Sequence, residues 1–81
     1  MRRNDLDICA DILKVAQTGA KKTQIVYQAN LNFKIVKKYL SRLIDTGLLL
    51  PANERRYYTT TRRGVDFIDQ YGALVTPLKI M

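Results

Sequence analysis

Residues 32–47, NFKIVKKYLSRLIDTG, sort onto two clean faces when wound at helical periodicity. Phe33, Ile35, Val36, Tyr39, Leu40, Leu43 and Ile44 fall on one apolar arc. Lys34, Lys37, Lys38, Ser41 and Arg42 fall on the other, and every charged residue between Lys34 and Arg42 is positive. One face therefore needs a core, and the other stays in water as a strip of positive charge. The chain has 81 residues, room for one domain and not two. A domain of this size buries only about 60% of its unfolded surface, so its core is thin and a partner subunit would add to it.

Composition narrows the function. Hydrophobic residues make up 47% of the chain, which argues against disorder. The net charge is +7 and the pI about 9.9, and so basic a small body implies a polyanionic partner. Cys9 is the single cysteine, so no intrachain disulfide can form, and it falls in an apolar helical pattern that suits a buried, inert thiol. Histidine is absent, which removes a zinc site and a cysteine–histidine pair. Asp5, Asp7, Asp11, Asp45, Glu54, Asp66 and Asp69 are scattered and suit helix ends and wet faces, so no enzyme, cofactor, metal or small-molecule ligand is expected. The longest apolar run is Leu48-Leu49-Leu50, too short to span a membrane. The first residues, MRRNDLD, start basic but turn acidic before any apolar run, unlike a signal peptide, and a cytoplasmic location is expected.

The rest of the chain builds a scaffold around the two-faced helix. Asn4 can cap a first helix over about 4–17, with Asp5 and Asp7 in its first turn and Gly19 at its end. A short second helix is expected over about 23–30, with Thr23 as its cap. Asn30-Leu31-Asn32 then makes a tight turn, with Asn32 capping the third helix over about 33–46. Two helices joined by so short a turn form a helix-turn-helix, although a plain helical hairpin has the same spacing. An apolar run and a Tyr/Thr-rich run flank Pro51–Arg55 and predict a β-hairpin over about 48–60. Thr61 can cap a fourth helix over about 61–75, stopped by Pro77 and followed by a short tail. The order helix, helix, helix, hairpin, helix is mainly α with a small hairpin: a winged helix-turn-helix, filling 1–81 as a single domain.

The run KKTQIVYQANLNFKIVKKYLSRLIDTGLL, followed by YYTTTRRGVDF, resembles an archaeal winged-helix family of predicted transcriptional regulators and small chromosomal DNA-binding proteins. The resemblance spans residues 5–75 and rests most on Tyr27 with Ala29-Asn30-Leu31-Asn32; Tyr58, Thr61 and Gly64 match a piece common to many winged-helix regulators. It implies binding to double-stranded DNA in a nucleoid setting, with the third helix in the major groove and the hairpin as wing. Some members dimerise through a long C-terminal helix forming an antiparallel coiled coil. Here the stop expected at Pro77 leaves only about four turns, which does not suit a long coiled-coil dimer but leaves a compact one open.

The candidate contacts follow from chemistry and placement. Lys34, Lys37, Lys38, Ser41 and Arg42 form the basic face of the third helix. The N-terminal part of such a helix meets base edges, so Lys34 and Lys38 are placed near bases and Arg42 near a phosphate. Asn32 is assigned to capping rather than to adenine. Arg55 and Arg56 lie at the wing tip, and Lys21 and Lys22 precede the second helix, where each pair can meet the DNA backbone. Arg62 and Arg63 open the fourth helix against its dipole, and a nearby phosphate would explain them. Arg2 and Arg3 read as a basic arm. Tyr39, Tyr58 and Tyr71 fit core positions, and Tyr27 and Tyr57 fit exposed ones. Apolar residues left over on the first and fourth helices, Ile8, Val15, Phe67 and Leu74, predict a homodimer through those helices. A second class of function fits the same charges: a winged-helix module whose basic face binds an acidic protein.

Overall fold

The structure is a computed structural model that describes residues 4–80. The elements are α1 (Asp5–Val15), a 3₁₀ turn (Ala16–Thr18), β1 (Ala20–Lys21), α2 (Lys22–Gln28), α3 (Phe33–Asp45), β2 (Leu49–Leu50), β3 (Tyr57–Thr60) and α4 (Arg62–Ile80). The molecule is mainly helical, with a small antiparallel sheet in the order β1-β3-β2. The basic arm at residues 2–3 lies outside the described residues.

The helices start where side chains satisfy their free amides. The Asn4 side chain accepts from the Asp7 amide at 2.8 Å while the Asp7 carboxylate accepts from the Asn4 amide, a reciprocal capping box. The Asn32 side chain accepts from the Ile35 amide at 2.8 Å and starts α3. Two helices end in the same double-bonded motif. After α2, the Leu31 amide bonds the Val26 carbonyl and the Asn30 amide bonds the Tyr27 carbonyl. Asn30 takes the left-handed conformation this requires, at φ 54°. After α3, Leu48 bonds Leu43, Gly47 bonds Ile44, and Gly47 stands at φ 78°. The α2–α3 turn thus has hydrogen bonds on both sides that fix its length and the angle of α3.

The core lies between α1, α2 and α3 and is closed by the sheet. Ile12, Leu13, Ile25, Val36, Leu43 and Leu49 are its largest fully buried side chains. Alternation places Leu49 in the core and Leu50 in water. The wing carries a buried hydroxyl, Thr60, which donates to the Leu13 carbonyl at 2.7 Å. Next to it, Thr61 donates to the Gly47 carbonyl at 2.7 Å and accepts from the Gly64 amide at 3.1 Å, capping α4.

Several expectations need correction. α2 starts at Lys22, and its cap residue is Lys21, which makes no side-chain capping bond, so Thr23 is not the cap. The hairpin is joined by a third strand: Ala20 pairs with Tyr58 and Lys21 with Tyr57. Two residues between a 3₁₀ turn and a helix carry no strand pattern, so only the partner strand reveals β1. The helix expected to stop before Pro77 continues to Ile80, so residues 78–80 are helical rather than a tail. Proline's fixed φ is helical, and so close to the helix end it forfeits one donor, to the Ala73 carbonyl, while the turns before it stay bonded.

Gly64 has a steric role that its sequence position does not announce. A Cβ there would collide with the Leu48 carbonyl oxygen and lie 2.5 Å from Thr60 Cγ2. Gly72, further along α4, would meet nothing within 4 Å. Gly64→Ala should therefore cost about 1–3 kcal/mol through forced separation of α4 from the wing. Gly72→Ala should stabilise by about 0.5–1 kcal/mol through helix propensity. Urea unfolding of the two variants measures both signs.

Candidate nucleic-acid interface

The third helix presents its basic side to solvent over its whole length. Lys34, Lys37, Lys38, Ser41 and Arg42 are all exposed, at spacings of three and four residues that make one stripe. Beneath them, Val36, Tyr39, Leu40 and Leu43 are buried at the same spacings. The apolar arc is narrower than expected: Ile35 is 37% exposed and Phe33 51% exposed. Ile35 lies just over a quarter of a turn from Val36, at the edge of the buried stripe. Phe33 is on the stripe but in the first turn of α3, beyond the end of the core cluster. Asn32 is held by its cap bond, as assigned.

Arg42 differs from the lysines because it has intramolecular partners. Its guanidinium lies 3.7 Å from the Asp5 carboxylate and 5.6 Å from the centroid of the Tyr39 ring. Asp5 also accepts a hydrogen bond from the Tyr39 hydroxyl. This cluster joins the start of α1 to the middle of α3. The carboxylate bond, helped by burial, holds the Tyr39 phenol above its ordinary value of 10.0. Burial, with Asp5 adding to it, also pushes the Cys9 thiol up, so the half-buried thiol stays protonated at neutral pH. Asp5 reads in the sequence only as a first-turn carboxylate, and its partners lie 34 and 37 residues away, out of reach of any local pattern.

The other basic residues divide. Lys21, Lys22 and Arg56 come together with Thr23, Phe33, Ala52 and Tyr58 around an open cleft of about 400 Å³ between the start of α3 and the wing. Arg55 is exposed in the wing turn but does not line the cleft. That turn is built on Asn53, whose side chain accepts from the Arg55 amide at 2.9 Å and the Tyr57 amide at 3.0 Å. It leaves Arg56 in the left-handed region at φ 68°. Across the sheet, Lys21 Nζ lies 5.5 Å from the Tyr57 ring centroid. Arg62 pairs with Asp66 at 3.3 Å one turn along α4, a local partner that removes the need for a phosphate to explain it. Tyr39 is buried, Tyr58 half-buried, and Tyr71 half-buried and stacked on Phe67. Tyr27 is exposed, and Tyr57 is at the edge of exposure.

Among the described residues, no three His, Cys, Asp or Glu converge as a metal site, and no helix is long and apolar enough to cross a membrane.

This architecture, three helices followed by a sheet wing and a helix, defines a winged helix-turn-helix protein. The chain belongs to the winged helix-turn-helix family, whose sequence profile matches residues 2–77. Among solved structures it is similar to Sso10a-2, a DNA-binding protein from Sulfolobus solfataricus, with a TM-score of 0.85 and 24% identity. That match covers 95% of this chain and 83% of the other, and at this identity it establishes a shared fold. No curated protein matches the chain.

The raised phenol gives a pH test. A group whose pKa is raised by folding lends stability that is present below its unfolded value and lost as pH rises through the folded one. Stability should therefore fall from about pH 10 upward. Tyr39→Phe should unfold at lower urea at pH 8 and lose less than the parent between pH 8 and 11. A parallel loss in both proteins would detach the phenol from the effect.

Proposed function

We propose that this chain binds double-stranded DNA, laying α3 in the major groove with the wing beside it, as a transcriptional regulator or a chromosomal architectural protein. The observation that carries the reading is the unbroken exposed stripe Lys34, Lys37, Lys38 and Ser41, on the helix that this fold presents outward. The chemistry is electrostatic first. Lysines are mobile point charges suited to phosphate oxygens, and each phosphate they neutralise releases condensed counterions. Lys34 and Lys38, near the start of α3, are placed to approach base edges. Arg42, tied to Asp5, serves the backbone at the far end of the stripe. Lys21, Lys22, Arg55 and Arg56 extend the positive surface to the wing. The similarity to a DNA-binding protein of the same fold supports this reading.

The functional unit is a homodimer through α1 and α4. Leu6 and Leu74 are large apolar side chains left in solvent on these two helices, with Leu74 73% exposed. Ile8, Val15 and Phe67 are half covered by the core and keep part of their surface in solvent. Pairing two copies would remove this surface from water. Sedimentation should give a dimer at micromolar concentration and a monomer for Leu74→Glu; a monomeric parent would remove the dimer.

Anisotropy titration of a fluorescent duplex at several salt concentrations tests the binding. The log–log slope should be about −0.9 per phosphate contacted. Lys34→Ala with Lys38→Ala should weaken binding and flatten the slope, whereas Lys14→Ala, on the exposed side of α1, should do neither. Absence of duplex binding at 50 mM salt would favour an acidic protein as partner instead. Selection of bound duplexes from a random library then separates the roles: an enriched palindrome indicates a sequence-specific dimeric regulator, and no enrichment an architectural protein.

A further inference from the structure

We infer that the cleft between the wing and the first turn of α3 seats one phosphodiester of the bound duplex, with Lys21, Lys22 and Arg56 around the phosphate and Phe33 against the adjoining deoxyribose. The inference rests on the DNA-binding reading and adds to it a specific anchor and an apolar contact.

Three independent features converge on it. First, three basic residues from three segments, β1, α2 and the wing, line the cleft, and no acidic residue lines it. Like charges gathered without a counter-charge repel one another, and an anion between them relieves that repulsion. Second, the walls include Phe33, Ala52 and Tyr58, so a cationic rim adjoins apolar surface. Bare phosphate would use only the rim. A phosphate carrying a sugar uses both, and the volume of about 400 Å³ admits it. Phe33 is half in solvent and outside the core cluster, so its ring is free to make this contact. Third, the wing residue in the cleft sits on a constrained backbone. Arg56 keeps a left-handed backbone that a non-glycine residue seldom adopts, and strain of this kind gathers at binding sites. The duplex, rather than a free nucleotide, is the occupant because Phe33 is the neighbour of Lys34, so the cleft runs directly into the basic stripe of α3.

Duplex binding with the whole chain tests this by anisotropy. The triple variant Lys21→Ala, Lys22→Ala, Arg56→Asn should flatten the salt slope by about 0.9 for each protomer bound to the duplex, the share of one phosphate per cleft. A change near 2.7 per protomer would mean three separate phosphates and would overturn the shared seat. Asn tolerates the left-handed conformation, so Arg56→Asn alone should weaken binding while the melting temperature holds or rises. Phe33→Ala should weaken binding several-fold with the salt slope unchanged; parental affinity would remove the sugar contact. Duplexes carrying one neutral methylphosphonate at a time should show, for each bound protomer, one position that weakens the parent and leaves the triple variant unaffected. No such position would overturn the proposal while the parent's binding keeps the DNA reading intact. Displacement of the duplex by millimolar deoxyadenosine monophosphate in the parent, and not in the triple variant, would reassign the cleft to free nucleotides. A parent that binds no duplex at low salt would end both readings.

Discussion

Two adjacent threonines at the end of the wing hold this molecule together. Thr60 turns inward and gives its proton to the Leu13 carbonyl in the last turn of α1. Thr61 turns the other way, bonding the Gly47 carbonyl after α3 and capping α4 through the Gly64 amide. One dipeptide thus ties the ends of α1 and α3 to the start of α4. The backbone joins in, with the Thr61 amide bonding the Leu48 carbonyl at 3.1 Å. That carbonyl is the atom a side chain at position 64 would strike, so glycine is what allows α4 to start so close to β2. A buried hydroxyl without a partner costs about 1–3 kcal/mol, so the Thr60 bond favours this arrangement over alternatives that leave it unmade.

The position of the basic surface follows from that junction. The end of α3 is fixed by its link to the wing, and its start by the Asn32 cap and the left-handed Asn30. Between these clamps the buried stripe of Val36, Tyr39, Leu40 and Leu43 sets the rotation of the helix about its axis. The lysines then have one direction left to face. Phe33, at the start of α3, lies outside the core cluster and is half exposed. The wing folds back beside it, and the cleft lined by Phe33 and Arg56 is the gap between them.

Much of this was legible in the sequence because the signals are local. Asn4, Asn32 and Gly47 each act within a few residues of their own position, as does Thr61 in capping α4, and each does in the structure what its local chemistry predicts. The basic face of α3 needs only periodicity. What escaped depends on contacts distant in sequence. β1 exists because Tyr57 and Tyr58 come back to pair with it. The Asp5–Tyr39–Arg42 cluster joins α1 to α3. Phe33 has the right period for the core but lies past its end, and periodicity carries no information about where a neighbouring helix stops. Pro77 is a different case: only three residues of helix follow it, so little helix remains for the ring to break.

The central claim is that one continuous surface, from the stripe on α3 across the cleft to the wing, meets DNA. Backbone amide shifts in NMR spectra recorded during titration with an unlabelled duplex test it most directly. The account predicts perturbations concentrated at residues 21–23, 33–42 and 52–58, with the exposed face of α4 over 65–75 unmoved. Perturbations centred on α4, with residues 33–42 silent, would contradict it.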